Sequence, residues 1–304
     1  MATLYEAARK AGIQFAEELA PAERRFDTGE LELSYLEWGP EDAPPVVLLH
    51  GFAQNAHSWD YTALALAQKY RVISLDARGH GDSDWAEDAD YSTAAHQRDL
   101  DRFIEQFGGT PVTLIGLSMG GRSSYVYASR RPENVRGLVI VDSGPPGAKA
   151  PGPGMSGGRR IMDFVTLPDE LDTWDEFVER IHQYNPRRSV QEVRDTLVHK
   201  VRQAPNGKWT WKYDRVLRAP DRPREVIPAE EQWRRIEAIP CPTLVVRGAE
   251  SDILASETAT EMAARMQNCE VVEVEGAGHL VPGDNPRQFI AVVTDWLDGL
   301  HAAS

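Results

Sequence analysis

The chain has 304 residues, a formal net charge of −14 and a sequence pI near 5.1, and 41% of its residues are hydrophobic. This length fits one large domain with an insertion, or two smaller domains. The acidic balance argues against nucleic acid and anionic membranes as partners, because both attract a basic face. No apolar run is long enough to cross a bilayer, and charged residues interrupt residues 1–20, so we expect no membrane contact and a cytoplasmic location.

The first elements in chain order begin with an amphipathic helix and then alternate between strand and helix. Residues 1–20 carry apolar side chains at helical spacing, so we assign residues 1–27 to an N-terminal helical extension. Strands that alternate with helices indicate a mostly parallel sheet covered on both faces. The predicted strands are 31–38, 44–50, 70–75, 112–117 and 135–141, and the predicted helices are 57–69, 92–107 and 122–131.

The alternation stops after the strand at 135–141 and resumes with a strand at 243–246. The block between them begins with a Gly/Pro-rich segment. It then contains two helix starts with capping-box spacing, a turn signal at 205–207 and an alternating aromatic stretch. We therefore predict an α/β fold, with a mostly parallel sheet flanked by helices, into which a mainly helical cap is inserted. The core domain comprises residues 28–145 and 236–304, and the cap comprises residues 146–235.

The segment Gly116-Leu117-Ser118-Met119-Gly120 lies between an apolar strand and a helical pattern. Strand, Gly-x-Ser-x-Gly and helix together indicate a nucleophile elbow, whose tight turn raises the serine hydroxyl to the carboxyl edge of the sheet. The following helix N-terminus favours negative charge that develops on an oxygen there. The sequence therefore predicts Ser118 as a nucleophile.

A serine nucleophile needs a base within hydrogen-bond reach and an acid that orients the base. His279 is the leading base, because its glycine-flanked loop follows the last strand and active sites of open α/β sheets lie at that edge. Asp252 is the leading acid, because it follows the preceding strand and gives the chain order Ser, Asp, His. Asp142, which follows the strand after the elbow helix, and Glu250 are the alternative acids.

These motifs, taken together and in this order, resemble α/β-hydrolase-fold enzymes of the capped, serine esterase-like group. The resemblance covers residues 28–300 and implies an acyl-enzyme mechanism without a cofactor. It also implies an oxyanion hole made by the backbone N–H groups of Phe52 and Met119. The motifs that carry it are His50-Gly51-Phe52, Asp76-x-Arg-Gly-x-Gly-x-Ser83, Gly116-x-Ser-x-Gly120, Asp252 and Gly278-His279.

The sequence departs from the family at the acid. Many members carry the acid three residues after the glycine that ends its strand, and Ser251 holds that place here. Asp252 comes one residue later, so Asp142 and Glu250 stay open as alternatives.

Side chains that could bind metal cluster in the Asp76–Ser83 loop, where His80, Asp82 and Asp84 are close in sequence. In similar proteins this loop is structural, so we expect no metal site there. The cysteines, Cys241 and Cys269, show no metal-ligand spacing and are expected to be reduced thiols.

The expected partner is a small-molecule ester, and a homodimer is a second expectation. Three other activities of this fold stay open. The Ser-Met-Gly-Gly elbow resembles that of carbon–carbon bond hydrolases, although Leu280 stands where those enzymes commonly carry a tryptophan. The second alternative is a lactonase or perhydrolase. The third is a ligand receptor that keeps the triad but hydrolyses its ligand slowly.

Overall fold

The computed structural model describes residues 3–147, 169–184, 186–219 and 225–302, and over these residues eight strands form one sheet. Their spatial order is β1-β2-β4-β3-β5-β6-β10-β11. Strand β2 is antiparallel to both of its neighbours, and the six strands from β4 to β11 are parallel. The strands are β1 (Ala22–Asp27), β2 (Glu32–Trp38), β3 (Pro45–Leu49), β4 (Arg71–Leu75), β5 (Val112–Leu117), β6 (Val135–Val141), β10 (Thr243–Gly248) and β11 (Cys269–Val274).

Helices cover both faces of this sheet, which explains why β3 and β5 are buried along their whole length. Val46 and Leu48 pack on the side of α2 and α10, whereas Val47 and Leu49 pack on the side of α3 and α4. The helices are α1 (Leu4–Lys10), α2 (Asp60–Leu66), α3 (Thr93–Glu105), α4 (Met119–Arg130), α5 (Trp174–Tyr184), α6 (Val190–Leu197), α7 (Ala229–Glu237), α8 (Ser256–Arg265), α9 (Val281–Asp284) and α10 (Pro286–Ala302). Short 3-10 helices lie at Ala56–Trp59, Pro132–Asn134 and Arg215–Arg218.

The cap combines two helices, α5 and α6, with a small antiparallel sheet of β7 (Glu170–Leu171), β8 (Val201–Gln203) and β9 (Trp209–Trp211). Both predicted capping boxes are present, because Thr173 and Glu176 exchange hydrogen bonds, as do Ser189 and Glu192. The predicted turn at 205–207 joins β8 to β9. The fold class predicted from the sequence is therefore confirmed.

The cap is fastened to the loop that follows β4. The Gly81 amide donates to the Lys212 carbonyl at 2.7 Å, and the Asp214 amide donates to the Gly79 carbonyl at 2.8 Å. The Lys212 ammonium pairs with Asp82 at 2.8 Å. The core and this part of the cap thus share backbone hydrogen bonds.

The N-terminal segment differs from the predicted helical extension over residues 1–27. Helix α1 ends at Lys10, where Gly12 adopts φ +77° and the amides of Gly12 and Ile13 bond back to Arg9 and Ala8. This arrangement is a Schellman motif, which terminates a helix. Residues 22–27 then form strand β1, and its Phe26 packs edge-on against Phe103 with ring centroids 5.4 Å apart. The helix is therefore shorter than predicted, and the end of the segment joins the sheet through β1 with Phe26 half-buried against the core.

Helix α7 begins inside the block predicted as the cap, but its side chains pack with the core. Trp233 and Ile236 are buried in the cluster that includes Tyr125 and Met262. Both cysteines are free thiols. Across the ranges described, none of the helices combines the length and the apolar character that a membrane crossing requires.

Candidate active site

Ser118 occupies a strained turn between β5 and α4. Its backbone has φ 54° and ψ −110°, a combination that non-glycine residues rarely adopt, and its amide donates to the Val141 carbonyl at 3.0 Å. Glycine is required two residues before and two residues after Ser118, because neighbouring backbone atoms leave no room for a side chain. A Cβ at Gly116 would lie 2.3 Å from the Gly120 carbonyl oxygen, and a Cβ at Gly120 would lie 2.1 Å from that of Leu49. Strain of this kind costs on the order of 1–3 kcal/mol and concentrates at functional sites.

The two predicted oxyanion donors, Phe52 and Met119, belong to segments that meet at the elbow. Met119 is the first residue of α4, so its N–H has no acceptor within the helix. Phe52 lies in the loop after β3, which reaches the elbow, because a Cβ at Gly51 would sit 3.5 Å from the Ser118 Cβ. Ala53, the next residue, has φ 59°, so this loop is strained as well.

The carboxylate that contacts the His279 ring is that of Asp142. His279 Nδ1 lies 2.7 Å from Asp142 Oδ2, and the Asp142 side chain is fully buried. Asp142 follows β6 directly and adopts φ 45°, a left-handed conformation that aspartate tolerates better than most residues. Because the Ser118 amide bonds to Val141, the elbow and this aspartate belong to one connected piece of the sheet edge.

Asp142 is held by two further donors from the loop after β10. The Ser251 hydroxyl donates to Asp142 Oδ2 at 2.6 Å, and the Gly248 amide donates to Asp142 Oδ1 at 3.2 Å. These bonds stabilise a buried carboxylate and fix its orientation toward the imidazole.

The structure thus brings His279 together with Asp142, which the sequence analysis gave as an alternative to its leading acid, Asp252. The side chain that reaches Asp142 from the β10 loop is Ser251, at the place where many family members carry their acid. Arg247 fixes the loop, donating to the Leu254 carbonyl at 2.7 Å and to the Ser251 carbonyl at 3.3 Å. This leaves Asp252 partly exposed one position beyond the inward-facing serine.

Glu250, the other alternative acid, forms an ion pair with the cap. Its carboxylate pairs with Arg187 at 2.7 Å, and the glutamate side chain is 55% exposed. The contact joins the loop after β10 to the segment between α5 and α6. Glu250 thus contributes to cap attachment rather than to the histidine.

The sequence missed the role of Ser251. The one signal was its position, three residues after Gly248, where the family pattern puts an acid. A serine there donates to a carboxylate instead of supplying one, so the acid must come from the neighbouring strand end.

His50 ends β3 at the same sheet edge but has a different environment. Its Nδ1 lies 2.8 Å from the Gly51 carbonyl oxygen, and its Nε2 accepts from the Ala77 amide at 3.0 Å. Burial, followed by the nearby His80, lowers the pKa of His50 to about 3. His50 is therefore a neutral structural residue that ties the Phe52 loop to the loop after β4.

The Asp76–Ser83 loop is structural, as expected from the resemblance. Asp76 accepts from the Ala56 amide at 2.6 Å and from the Asp82 amide at 2.8 Å, and burial raises its pKa to about 6. Arg78 makes a buried two-point contact with Asp99, both bonds measuring 2.7 Å. His80 Nδ1 lies 3.0 Å from the Arg78 carbonyl oxygen.

A cavity of about 190 Å³ lies beside the elbow, between α1, α2, the cap and the histidine loop. Leu117 and Leu280, the neighbours of Ser118 and His279 in sequence, form part of its wall. Arg188 and Lys200 line it from the cap, and burial lowers the pKa of Lys200 to about 7, with Arg188 adding to the effect.

Comparisons with known proteins agree with this architecture. A family model described as alpha/beta hydrolase fold matches residues 44–286. The esterase Rv0045c of Mycobacterium tuberculosis is 29% identical over 298 residues, which cover 98% of this chain and 95% of that protein. Its crystal structure matches with a TM-score of 0.76, covering 98% of this chain and 97% of that one.

Two further relatives carry more specific names. A 3-hydroxybutyrate-oligomer hydrolase of Cupriavidus necator is 34% identical over 279 residues, covering 88% of this chain and 93% of that protein. The sn-1-specific diacylglycerol lipase ABHD11 of Mus musculus is 28% identical, with 94% of this chain and 91% of that protein covered. The chain therefore belongs to the alpha/beta hydrolase fold family and is an enzyme of the carboxylic ester hydrolase type.

Proposed function

We propose that the chain hydrolyses carboxylic esters through an acyl-enzyme on Ser118, with His279 as base and Asp142 as the orienting acid. The observation that carries this proposal is the 2.7 Å contact between His279 and the buried Asp142, one residue beyond the strand that bonds the elbow. A buried carboxylate on Nδ1 leaves Nε2 to exchange a proton with the serine.

The reaction proceeds in two halves. His279 takes the proton of the Ser118 hydroxyl while the Ser118 oxygen attacks the ester carbonyl carbon, and the Phe52 and Met119 amides donate hydrogen bonds to the oxyanion that forms. Collapse of this intermediate breaks the bond to the alcohol oxygen, which leaves with the proton from His279. Water, deprotonated by His279, then attacks the acyl carbon and releases the carboxylic acid and Ser118. Removing one oxyanion donor typically costs about 10²–10³ in kcat.

The cavity beside Leu117 and Leu280 supports a substrate of moderate size. Its volume of about 190 Å³ is below the roughly 300–1,000 Å³ that is typical of sites for drug-sized ligands. We therefore expect esters of short to medium chains to be better substrates than long-chain lipids.

Hydrolysis of p-nitrophenyl esters, from acetate through decanoate, tests the proposal with wild type, Ser118→Ala and Ser129→Ala side by side. Ser129 is on the same helix but bonds only to the Val126 carbonyl among the described contacts, so its variant is a matched control. We expect turnover in wild type and Ser129→Ala and none in Ser118→Ala. Equal turnover in Ser118→Ala would refute the nucleophile. Absence of turnover in all three folded proteins would favour lactones, ring-cleavage diketones or a receptor role.

A more specific substrate class is supported by the cavity charges. A short hydroxyacid oligomer carries an ester and a terminal carboxylate, and Arg188 and Lys200 are placed to contact such a carboxylate. The similarity to the Cupriavidus hydrolase supports the same class. The test compares 3-hydroxybutyrate dimer and trimer with their methyl esters. We expect Arg188→Gln to raise KM for the free acids and to leave KM for the methyl esters nearly unchanged. An equal effect on both would contradict carboxylate recognition.

A further inference from the structure

Two histidines and an aspartate that the proposed mechanism does not use meet on the wall of the cavity. His57 lies in the 3-10 helix before α2, Asp60 is the first residue of α2, and His199 follows α6 in the cap. One candidate ligand atom from each residue can be chosen so that all three atoms lie within 4.8 Å of one another. The cluster thus joins the core to the cap at the wall of the cavity.

The three side chains are held in place before any ligand arrives. His57 Nδ1 lies 3.0 Å from Asp60 Oδ2, and the His57 ring stacks on the His199 ring with centroids 3.6 Å apart and planes inclined by 18°. The Asn55 side-chain amide donates to the His199 carbonyl, which fixes the cap residue against the core. The three groups are therefore neighbours before a ligand binds, and the ring stack is the contact that a metal ion would have to replace.

Two imidazole nitrogens and a carboxylate oxygen form a donor set that suits divalent zinc and neighbouring transition metals. Ligand atoms around a tetrahedral zinc are roughly 3.4 Å apart, given bonds of about 2.1 Å. The chosen atoms lie within 4.8 Å of one another, so binding requires the side chains to draw closer together. The rings must also tilt out of their stack, because a bound metal lies in the plane of each imidazole. The change requires rotation of these side chains, and a solvent molecule would complete a tetrahedral set of ligands.

The surrounding charges select between kinds of cation. Arg188 and Lys200 line the same cavity and oppose any added positive charge, while Asp195 partly offsets them. Magnesium and calcium need several hard oxygen ligands, and this cluster offers one carboxylate. Metals that bind imidazole strongly are therefore favoured over hard cations.

We propose that His57, Asp60 and His199 bind a divalent transition metal of the zinc type, and that the bound ion obstructs the cavity and slows hydrolysis. The binding part stands on the cluster alone. The inhibitory part rests on the proposed ester hydrolysis and on the position of the cavity beside Leu117 and Leu280. Calorimetry measures binding without any substrate, so failure of the site and failure of the proposed function are distinguishable.

The experiment titrates zinc chloride into chelator-treated protein by isothermal calorimetry. Wild type is compared with His57→Gln, Asp60→Asn and His199→Gln, and with His279→Gln and His301→Gln as controls. We expect one strong site in wild type and both controls. Loss of a ligand should weaken binding on the order of 100-fold, at least as much as the loss of a supporting residue around a metal. Magnesium chloride should give no comparable heat.

Two results would overturn the proposal. One is zinc binding that is no tighter in wild type than in His199→Gln. The other is binding lost in His279→Gln and retained in His57→Gln, which would place the metal on the base. Thermal melting without metal checks folding. Should His57→Gln fail to fold, His199→Gln decides, because it alters only the cap side of the cluster. With an active enzyme, the zinc concentration that halves ester turnover should rise on the order of 100-fold in His199→Gln.

Discussion

The loops after β6 and β10 follow neighbouring parallel strands, and each contains an aspartate. The two loops make different contacts at the site. The β6 loop turns at once, at Asp142 with φ 45°, and its carboxylate is fully buried against His279. The β10 loop runs further, and it turns the Ser251 hydroxyl onto Asp142 while the next residue, Asp252, is half-buried. Backbone conformation at the strand end, rather than the order of acids along the chain, decides which carboxylate reaches the histidine.

The largest expected effect separates the two aspartates. Asp142→Asn should lower kcat on the order of 10⁴-fold, because an amide stabilises the wrong tautomer of His279 and no longer stabilises the imidazolium. Asp252→Asn should lower kcat less than about tenfold, since it leaves the hydrogen bond on Nδ1 intact. Steady-state hydrolysis of a p-nitrophenyl ester measures both, with thermal melting to verify folding. A larger loss in Asp252→Asn than in Asp142→Asn would reverse the comparison.

A third strand end, that of β3, extends the comparison to pH. His50 has hydrogen bonds to backbone groups, and its pKa is lowered from 6.5 to about 3, so its neutral form is favoured in the folded state. The unfolded chain binds the proton first as pH falls, and stability present above pH 6.5 is lost progressively towards pH 3. The loss from this residue is on the order of 3–5 kcal/mol.

Denaturant unfolding at pH values from 3 to 7 measures this loss in wild type and in His50→Gln. We expect the variant to be less stable at pH 7 but to have a shallower pH dependence across this range. His301→Gln, a change in the last helix, is the control. If the free energy of unfolding varied with pH in the same way in wild type and His50→Gln, the pKa of His50 would be the same in the folded and unfolded states.

The acid can also be moved between the two loops. Ser251 Oγ and His279 Nδ1 both bond the same oxygen of Asp142, so an aspartate at 251 would start close to the imidazole. We expect Asp142→Asn/Ser251→Asp to recover about 10- to 100-fold of the kcat lost in Asp142→Asn, short of wild type. Asp142→Asn/Ser256→Asp, with the new acid at the start of α8, is the matched control. Equal activity of both double variants would mean that an aspartate at position 251 does not contact His279.

The smallest expected effect concerns the ion pair by which the β10 loop holds the cap. Arg187 and Glu250 are 34% and 55% exposed, and pairs of this kind contribute about 0–1 kcal/mol. Arg187→Ala should change KM by at most about fivefold, and added salt should reduce the difference. Arg194→Ala, which breaks a comparably exposed pair with Asp175 in the cap, should leave KM unchanged. If KM showed the same salt dependence in both variants, the Arg187–Glu250 ion pair would have no role in substrate binding.

The core fold could be predicted from sequence because its strands are short apolar runs and its helices keep regular spacing. The elbow and His279 could also be predicted, since glycine spacing and strand ends are local features. The acid could not. Its identity depends on φ 45° at Asp142 and on Arg247 bonding to carbonyls four and seven residues away, and neither leaves a pattern in the sequence. The cluster of His57, Asp60 and His199 could not be predicted for a related reason, because His57 and His199 meet only where the cap packs on the core.

The position of Asp142 before the cap has a consequence for protein synthesis. Phe52, Ser118, Met119 and Asp142 all lie within the first 142 residues, so in the proposed mechanism only His279 comes from the far side of the inserted cap. A nascent chain therefore completes its nucleophile, its oxyanion donors and its acid before the cap is translated. It still lacks a proton acceptor until the last strand has emerged from the ribosome. Esterase activity should accordingly appear only in chains that extend past the histidine loop, which makes catalysis itself a reporter of complete translation.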